Sequence, residues 1–299
     1  MNSLPSSLRA ALRCPACAGQ LEGDAPAFAC PACGVSYPGT PDGRPDLRLR
    51  APKRLRHEVT IGEDITPPPG LDFAPLGHNP APAVGFSGMA TPKHLSTEIL
   101  SWFPAARGPG EAALDLGCGR GWHREAVERA GFSWVGMDFA NKRAPLLADA
   151  HALPFADQSF GFVVSVAVLE HLRHPAVALA EIARVLRPGG RFIATMAFLE
   201  PFHKDSYFNI SHLGALSLLR HAGLTPLAVA PGRNGIYSLA RMGLFAGLPR
   251  AAAHGLAAPL DWLSRLWWKA GRSRWPRLTD DWRRLILSGD MTVVADREQ

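Results

Sequence analysis

The run Ala112-Ala113-Leu114-Asp115-Leu116, followed by Gly117-Cys118-Gly119-Arg120-Gly121, constrains this chain more than any other stretch. Its mostly apolar first half reads as a buried strand. Three glycines at alternate positions then give way to a helix-like segment over 122–130. A strand, a tight glycine turn and a helix start, in that order, bring backbone N–H groups close to a ligand with no Cβ in the way. A second strand over 134–138 ends in Asp138, 17 residues after Gly121. A carboxylate there suits a ribose diol, because it accepts two hydroxyl protons. Trp122 stands where the dinucleotide pattern Gly-x-Gly-x-x-Gly has its last glycine. The spacing therefore points away from a pyrophosphate and toward an adenosyl ligand without phosphates.

At 299 residues and 47% hydrophobic, the chain has room for one large domain plus a small one. The net charge of +6 is a mild basic bias and not by itself a nucleic-acid signature. No apolar run approaches the ~18 residues of a membrane span. Residues 1–13 lack the apolar core of a signal peptide, so a cytoplasmic location is expected.

The five cysteines divide four and one. Cys14, Cys17, Cys30 and Cys33 form two Cys-Pro-Ala-Cys knuckles separated by 12 residues, and Cys118 lies in the glycine turn. Paired C-x2-C spacing without a secretion signal favours a tetrahedral Zn²⁺ over disulfides. Residues 1–50 thus read as a structural zinc ribbon, whose four sulfurs leave no open coordination position for catalysis. With so little apolar core, bound metal would supply most of its folding energy.

Residues 51–92 carry a short basic run and then the proline clusters 67–70 and 79–82, which exclude regular structure over much of the segment. This reads as a linker draped over the main domain, or as a lid, since Phe73, Phe86 and Met89 are too apolar for a free tether. A helix is expected over 94–103. From there the pattern alternates: strands at 112–116, 134–138, 162–166, 190–197 and 225–230, helices at 122–130, 175–186 and 211–222. Such alternation specifies an α/β fold, a doubly wound, mainly parallel sheet covered on both faces. Ligands in such sheets bind beyond the C-terminal ends of the strands, where Gly117–Gly121 and Asp138 lie.

Six stretches in order carry a resemblance: 114–121, Val135-Gly136-Met137-Asp138, Asp149-Ala150-His151-Ala152-Leu153-Pro154-Phe155, 159–163, Leu169-Glu170-His171 and 184–192. Together they resemble the successive motifs of class I S-adenosylmethionine (SAM)-dependent methyltransferases of the type-11 kind, over roughly residues 95–230. The resemblance implies a seven-stranded Rossmann-like sheet. It also implies that Gly117, Gly119 and Gly121 wrap the methionine part of SAM. Asp115 would support that loop, through water to the SAM ammonium. Asp138 would hold the ribose, Asp149 would accept from the adenine amino group with Ala150 offering its N–H, and Val166 with Ala167 would line the far wall. One departure stands out, Gly161 where the family often has Asp. The ribbon, with Tyr37-Pro38 and 42–47, resembles small zinc proteins that partner tRNA and protein methyltransferases, which implies a protein partner or an RNA as its target.

Methyl transfer from a sulfonium is an in-line displacement at carbon, so the protein must align the nucleophile and exclude water. A hydroxyl or amine acceptor also needs a base. Candidates follow the fourth and fifth strands: Glu170, His171, His174 and the stretch Glu200 to Tyr207. That stretch loosely resembles a Pro-Phe/His-x-Asp-x-Tyr segment of type-11 methyltransferases found with glycan-modifying enzymes. His203 is the favoured base, oriented by Asp205, with His171 more a helix-start residue beside the cofactor. The Asn/Asp-Pro-Pro-aromatic tetrapeptide of amide- and adenine-methylating enzymes is missing, since Ser165-Val166-Ala167-Val168 stands there. No cysteine follows the fourth or fifth strand to attack a pyrimidine ring.

In 231–299, Leu256, Leu260, Leu263 and Trp267 follow helical spacing among further Trp and Arg residues. Three readings stay open: a cap packed on the catalytic domain, a helix in a membrane interface, or a nucleic-acid platform. A final strand over 291–295 is expected at the sheet edge. The expected activity is methylation of a hydroxyl or amine on a small-molecule, glycan or lipid-linked acceptor. The alternatives are an rRNA or tRNA base methyltransferase that uses the ribbon to bind RNA, and a non-catalytic scaffold of the same fold.

Overall fold

A computed structural model describes residues 6–55, 62, 71, 73–201, 205–275 and 279–298. The N-terminal module holds helix α1 (Ser6–Arg9) and a two-stranded antiparallel sheet, β1 (Phe28–Ala29) with β2 (Ser36–Tyr37). Helix α2 (Thr97–Ser101) follows the linker and is capped by Ser96, whose hydroxyl accepts from the Ile99 N–H. The main domain then runs β3 (Ala112–Leu116), α3 (Arg124–Arg129), β4 (Ser133–Asp138), β5 (Leu146–Leu147), β6 (Phe160–Val166), α4 (Pro175–Val185), β7 (Leu186–Ala197), α5 (His212–His221) and β8 (Leu224–Pro231). Helices α6 (Gly235–Leu239), α7 (Arg250–Gly271) and α8 (Asp280–Ile286) precede the last strand, β9 (Asp290–Arg297).

Seven strands form one sheet in the order β5-β4-β3-β6-β7-β9-β8. The pairs from β5 through β7 are parallel, and β9 runs antiparallel to both neighbours. The expected doubly wound sheet is therefore present. The expectation of β9 at the edge is corrected: it inserts between β7 and β8, and β8 is the edge. Its apolar core Met291 to Ala295 is buried on both faces, which an edge position would not provide. Strand β5 was not anticipated, because two leucines give no periodic signal.

Alternation along the strands feeds two cores. Leu114, Leu116, Val135, Met137, Val163 and Phe192 face α4 and α5. Ala113, Trp134, Phe162, Val164 and Ile193 face α2 and α3. Ribbon residues Leu12, Phe28, Tyr37 and Leu47 belong to the first core, so apolar packing on the main domain adds to whatever metal supplies. Phe73 packs on the first core, and Phe86 and Met89 on the second, so these parts of the linker lie against the domain; the proline cluster 67–70 lies outside the described residues.

Residues 45–47 extend the sheet at its β5 edge. The Leu47 N–H donates to the Leu147 carbonyl at 2.8 Å, and the Leu147 N–H donates to Pro45 at 3.0 Å. A pair of backbone bonds between Ala11–Arg13 and Pro154–Ala156 fixes the other side of the ribbon.

Gly161 has a local reason. A Cβ there would lie 2.1 Å from Glu111 Oε1, whose buried side chain reaches across from the start of β3 to pair with Arg187 at 3.3 Å. The carboxylate expected at position 161 is delivered from position 111 instead.

Candidate active site

The turn after β3 depends on backbone that only glycine adopts without strain. Gly117 has φ +72°, and a Cβ on it would sit 2.3 Å from Val168 Cγ2. The N–H groups of Gly117 and Cys118 both donate to the Met137 carbonyl, which ties the turn to the end of β4. Below the turn, Asp115 is fully buried. Its two oxygens are taken by His123 Nδ1 at 3.1 Å and Trp134 Nε1 at 3.0 Å. Asp115 therefore braces the loop from beneath. Burial works against the His123 cation, but the Asp115 carboxylate outweighs it and holds the imidazole above its ordinary range.

A cleft of about 1100 Å³ opens at the C-terminal ends of β3, β4 and β6. Gly117, Asp138, Asp149, Ala150, Ala167 and His171 line it. Gly119, Gly121 and Val166 are not among the residues that line it. Asp138 organises the rim: its Oδ1 accepts from the N–H groups of Ala140 and Asn141, and its Oδ2 from Gly119 at 3.2 Å. Asp149 Oδ1 lies 2.6 Å from His151 Nδ1 and accepts the His151 N–H. Burial would raise the Asp149 carboxyl, but these His151 bonds prevail and keep it below the usual range. An apolar floor with carboxylates at the strand ends suits a nucleoside: hydroxyls and an exocyclic amine donate to acids.

The ribbon's exit strand holds the loop beside Asp138. Arg44 Nη1 donates to the carbonyls of Asn141 and Ala144, and Arg48 Nη1 to Phe139. Arg48 is aimed by Asp46, whose carboxylate it grips at 2.8 Å. Leu49, Lys53 and Leu55 complete that wall of the cleft.

A second cavity, of about 780 Å³, lies on the other side of Ala167. Ala167 lines both and carries φ +54°, unusual for a residue with a side chain, with its N–H donating to Thr195. Around the second cavity stand Glu170, Glu200, Asp290 and Arg233, with His94, Tyr237 and His254. Arg233 joins Glu200 at 2.9 Å to Asp290 at 2.8 Å. Glu170 is buried, and its Oε2 has no hydrogen-bond partner among the described residues. Desolvation first, then the neighbouring Glu200 and Asp290 charges, push its carboxyl up to about 7.

Sequence reasoning named Glu170 and Glu200 but missed Arg233 and Asp290, which meet across 57 residues of chain. His203 lies outside the described residues. Asp205 lines the first cleft, and its backbone carbonyl is 3.1 Å from His171 Nδ1.

In the ribbon, Cys14, Cys17, Cys30 and Cys33 place their sulfurs within 4.8 Å of one another. The pairs Cys14–Cys33 and Cys17–Cys30 are 3.7 and 3.5 Å apart. Zn–S bonds of about 2.3 Å give a tetrahedron with edges of about 3.8 Å, so the donor set fits zinc with little movement. Each knuckle turns through a left-handed residue, Ala18 (φ +63°) or Gly34 (φ +74°). Tyr37 Oη lies 3.3 Å from Cys14 Sγ.

Comparison with known proteins gives the same picture of the core. A family model described as a methyltransferase domain matches residues 114–194. A demethylmenaquinone methyltransferase of Renibacterium salmoninarum is 38% identical over 96 residues, 28% of this chain and 40% of that protein. One from Mycolicibacterium paratuberculosis is 35% identical over 144 residues, 41% of this chain and 63% of that protein. The chain thus spans about half the length of the curated relatives it matches. Among solved structures, a chain of the complex between the Haloferax volcanii Trm112 methyltransferase activator and a methyltransferase aligns with a TM-score of 0.43. Identity there is 20%, over 67% of this chain and 87% of that one. Over residues 114–194 the chain is thus similar to a methyltransferase domain, carried behind a four-cysteine module.

Proposed function

We propose that the chain transfers the SAM methyl group to a hydroxyl, or a related proton-bearing nucleophile, of an acceptor held in the second cavity. The observation that carries this reading is the meeting of two cavities at one residue. The first suits an adenosyl ligand and the second is lined by acids, and Ala167 is a wall of both. Gly117 and the amides of the turn would hold the amino-acid end, Asp138 the ribose and Asp149 with Ala150 the base. SAM supplies a methyl on a sulfonium with a built-in leaving group.

Glu170 is the base this reading favours. Its free Oε2 is buried beside the shared wall, and a carboxyl near pH 7 takes a proton readily. The acceptor oxygen forms a bond to the methyl carbon, the carbon–sulfur bond breaks toward sulfur, and the hydroxyl proton passes to the Glu170 carboxylate. The Arg233 bridge fixes Glu200 and Asp290 as the opposite wall. His171, on the cofactor side, is better placed to orient SAM than to take the acceptor's proton.

The test is incubation of the protein with methyl-labelled SAM and candidate acceptors, starting with demethylmenaquinone, the substrate in the relatives' names. Label appearing as a methyl ether, or on another heteroatom of an organic product, supports the reading, and label on a ring carbon would keep methyl transfer but contradict the hydroxyl assignment. Label found only in RNA would move the assignment to a nucleic-acid methyltransferase.

A further inference from the structure

Helix α7 is 22 residues long, about 33 Å at 1.5 Å per residue. It meets the domain through Ala253, Ala257 and Asp261. Asp261 is a buried anchor, bonded to Arg283 at 2.5 Å, Asn234 at 2.8 Å and Arg265 at 2.9 Å. The surface of α7 beside that packed face is apolar and uncovered. Leu256 is 54% exposed, Leu260 56%, Leu263 53%, Leu266 45%, Trp262 59% and Trp267 70%. The helical spacing expected at 256, 260, 263 and 267 is present, and the stripe points outward. Nearby, Leu244 and Leu248 on the approach to α7, and Trp275 beyond it, are exposed as well. A face this apolar is not left to water without a partner.

Charge states which partner. Residues 240–286 contain nine Lys or Arg against three Asp, an excess equal to the +6 of the whole chain. The remainder is neutral, so the entire basic bias is gathered around this one apolar helix. Among the described residues, Arg241, Arg250, Lys269, Arg274 and Arg284 have no acidic partner. Exposed leucines and tryptophans bordered by cations are the composition of a helix lying in the plane of an anionic bilayer. No described helix is long and apolar enough to cross one.

We infer that α7 docks this protein on an anionic lipid surface, with the leucine and tryptophan stripe in the headgroup and acyl boundary and the flanking cations on lipid phosphates. Arg250 and His254, in the first turns of the same helix, line the second cavity, so its mouth lies beside the docked face. Docking itself does not require methyl transfer.

The test is co-sedimentation of the full chain with vesicles of equal parts phosphatidylglycerol and phosphatidylcholine, against phosphatidylcholine alone. The expected result is binding to the anionic vesicles that weakens with salt. L263E/W267E is expected to abolish it, and K269E and R274E to weaken it about fivefold or more each. SAM affinity and circular dichroism should be unchanged in all three, since these side chains are exposed and touch neither cavity. Three results would overturn the inference. One is no vesicle binding. Another is equal binding to neutral vesicles. The third is a dimer in size-exclusion chromatography that L263E/W267E converts to monomer without any vesicle binding, which would make the stripe a contact between copies.

Discussion

His123 Nδ1 lies 3.1 Å from Asp115 Oδ1, with both side chains buried beneath the glycine turn. The other ring nitrogen is 3.2 Å from the Lys93 carbonyl. Both neighbours only accept, so the ring satisfies both only as a doubly protonated cation. The pair thereby ties the turn to the segment that carries His94 into the second cavity.

A pH dependence of stability follows. The His123 pKa is raised above its ordinary 6.5 in the folded protein. Its stabilisation is therefore fully present below about pH 6.5 and is lost as pH rises through the higher folded-state value. The stability difference between wild type and His123→Gln, measured by urea denaturation, should be largest near pH 6 and shrink toward pH 9. A difference that grows with pH would contradict the cationic pair.

Gly117→Ala should be far worse than its size suggests. The left-handed backbone alone costs an L-residue about 1–2 kcal/mol. The new Cβ would also meet Val168 at 2.3 Å, and Val168 lines the cofactor cleft. Gly121→Ala meets only the Trp134 ring at 3.4 Å. Thermal melts should rank Gly117→Ala well below Gly121→Ala, with SAM binding lost only in the former.

How much of this was legible before any coordinates depended on the range of each interaction. The glycine turn and Asp138 were readable because strand, turn, helix and second strand follow one another along the chain, and Asp149 through the family resemblance; Gly117, Asp138 and Asp149 line one cleft. The cysteine knuckles were readable because the spacing itself is the ligand geometry. Asp115 was readable as a support of the turn, but its partners His123 and Trp134, 8 and 19 residues away, were not. The Arg233–Asp290 bridge left no local trace at all. Helix α7 shows a different limit. A stripe of leucines and tryptophans reveals the helix and its apolar face, but periodicity says nothing about what covers that face.

A zinc ion held by the four cysteines would brace the cofactor cleft, and its removal should be felt there. The exit strand of the ribbon carries Arg44 and Arg48, which hold the carbonyls of Phe139, Asn141 and Ala144 next to Asp138. Stripping the metal with a chelator, or Cys30→Ser, should lower the melting temperature and weaken SAM binding together. Hydrogen exchange should show faster exchange across 139–147. An unchanged loop in the metal-free protein would separate the ribbon from the cofactor site.

Glu170→Gln tests the proposed base. The Glu170 carboxyl titrates at about 7, and only the ionised form takes a proton. The wild-type rate at saturating SAM should therefore rise with pH through about 7 and level off above it. Glu170→Gln should lose that step and about 100-fold in turnover, while its SAM affinity stays the same. Full turnover in the variant would shift the base assignment to the 200–207 stretch, where His203 is the remaining candidate.

Isothermal titration with SAM addresses the central claim most directly, with Asp138→Asn as the paired variant. The account predicts one SAM per chain. It also predicts about 10- to 100-fold weaker binding in Asp138→Asn, the loss expected when hydrogen bonds to a charged acceptor are replaced by neutral ones. Absence of SAM binding by the wild-type, zinc-loaded protein, or equal affinity in the variant, would contradict it.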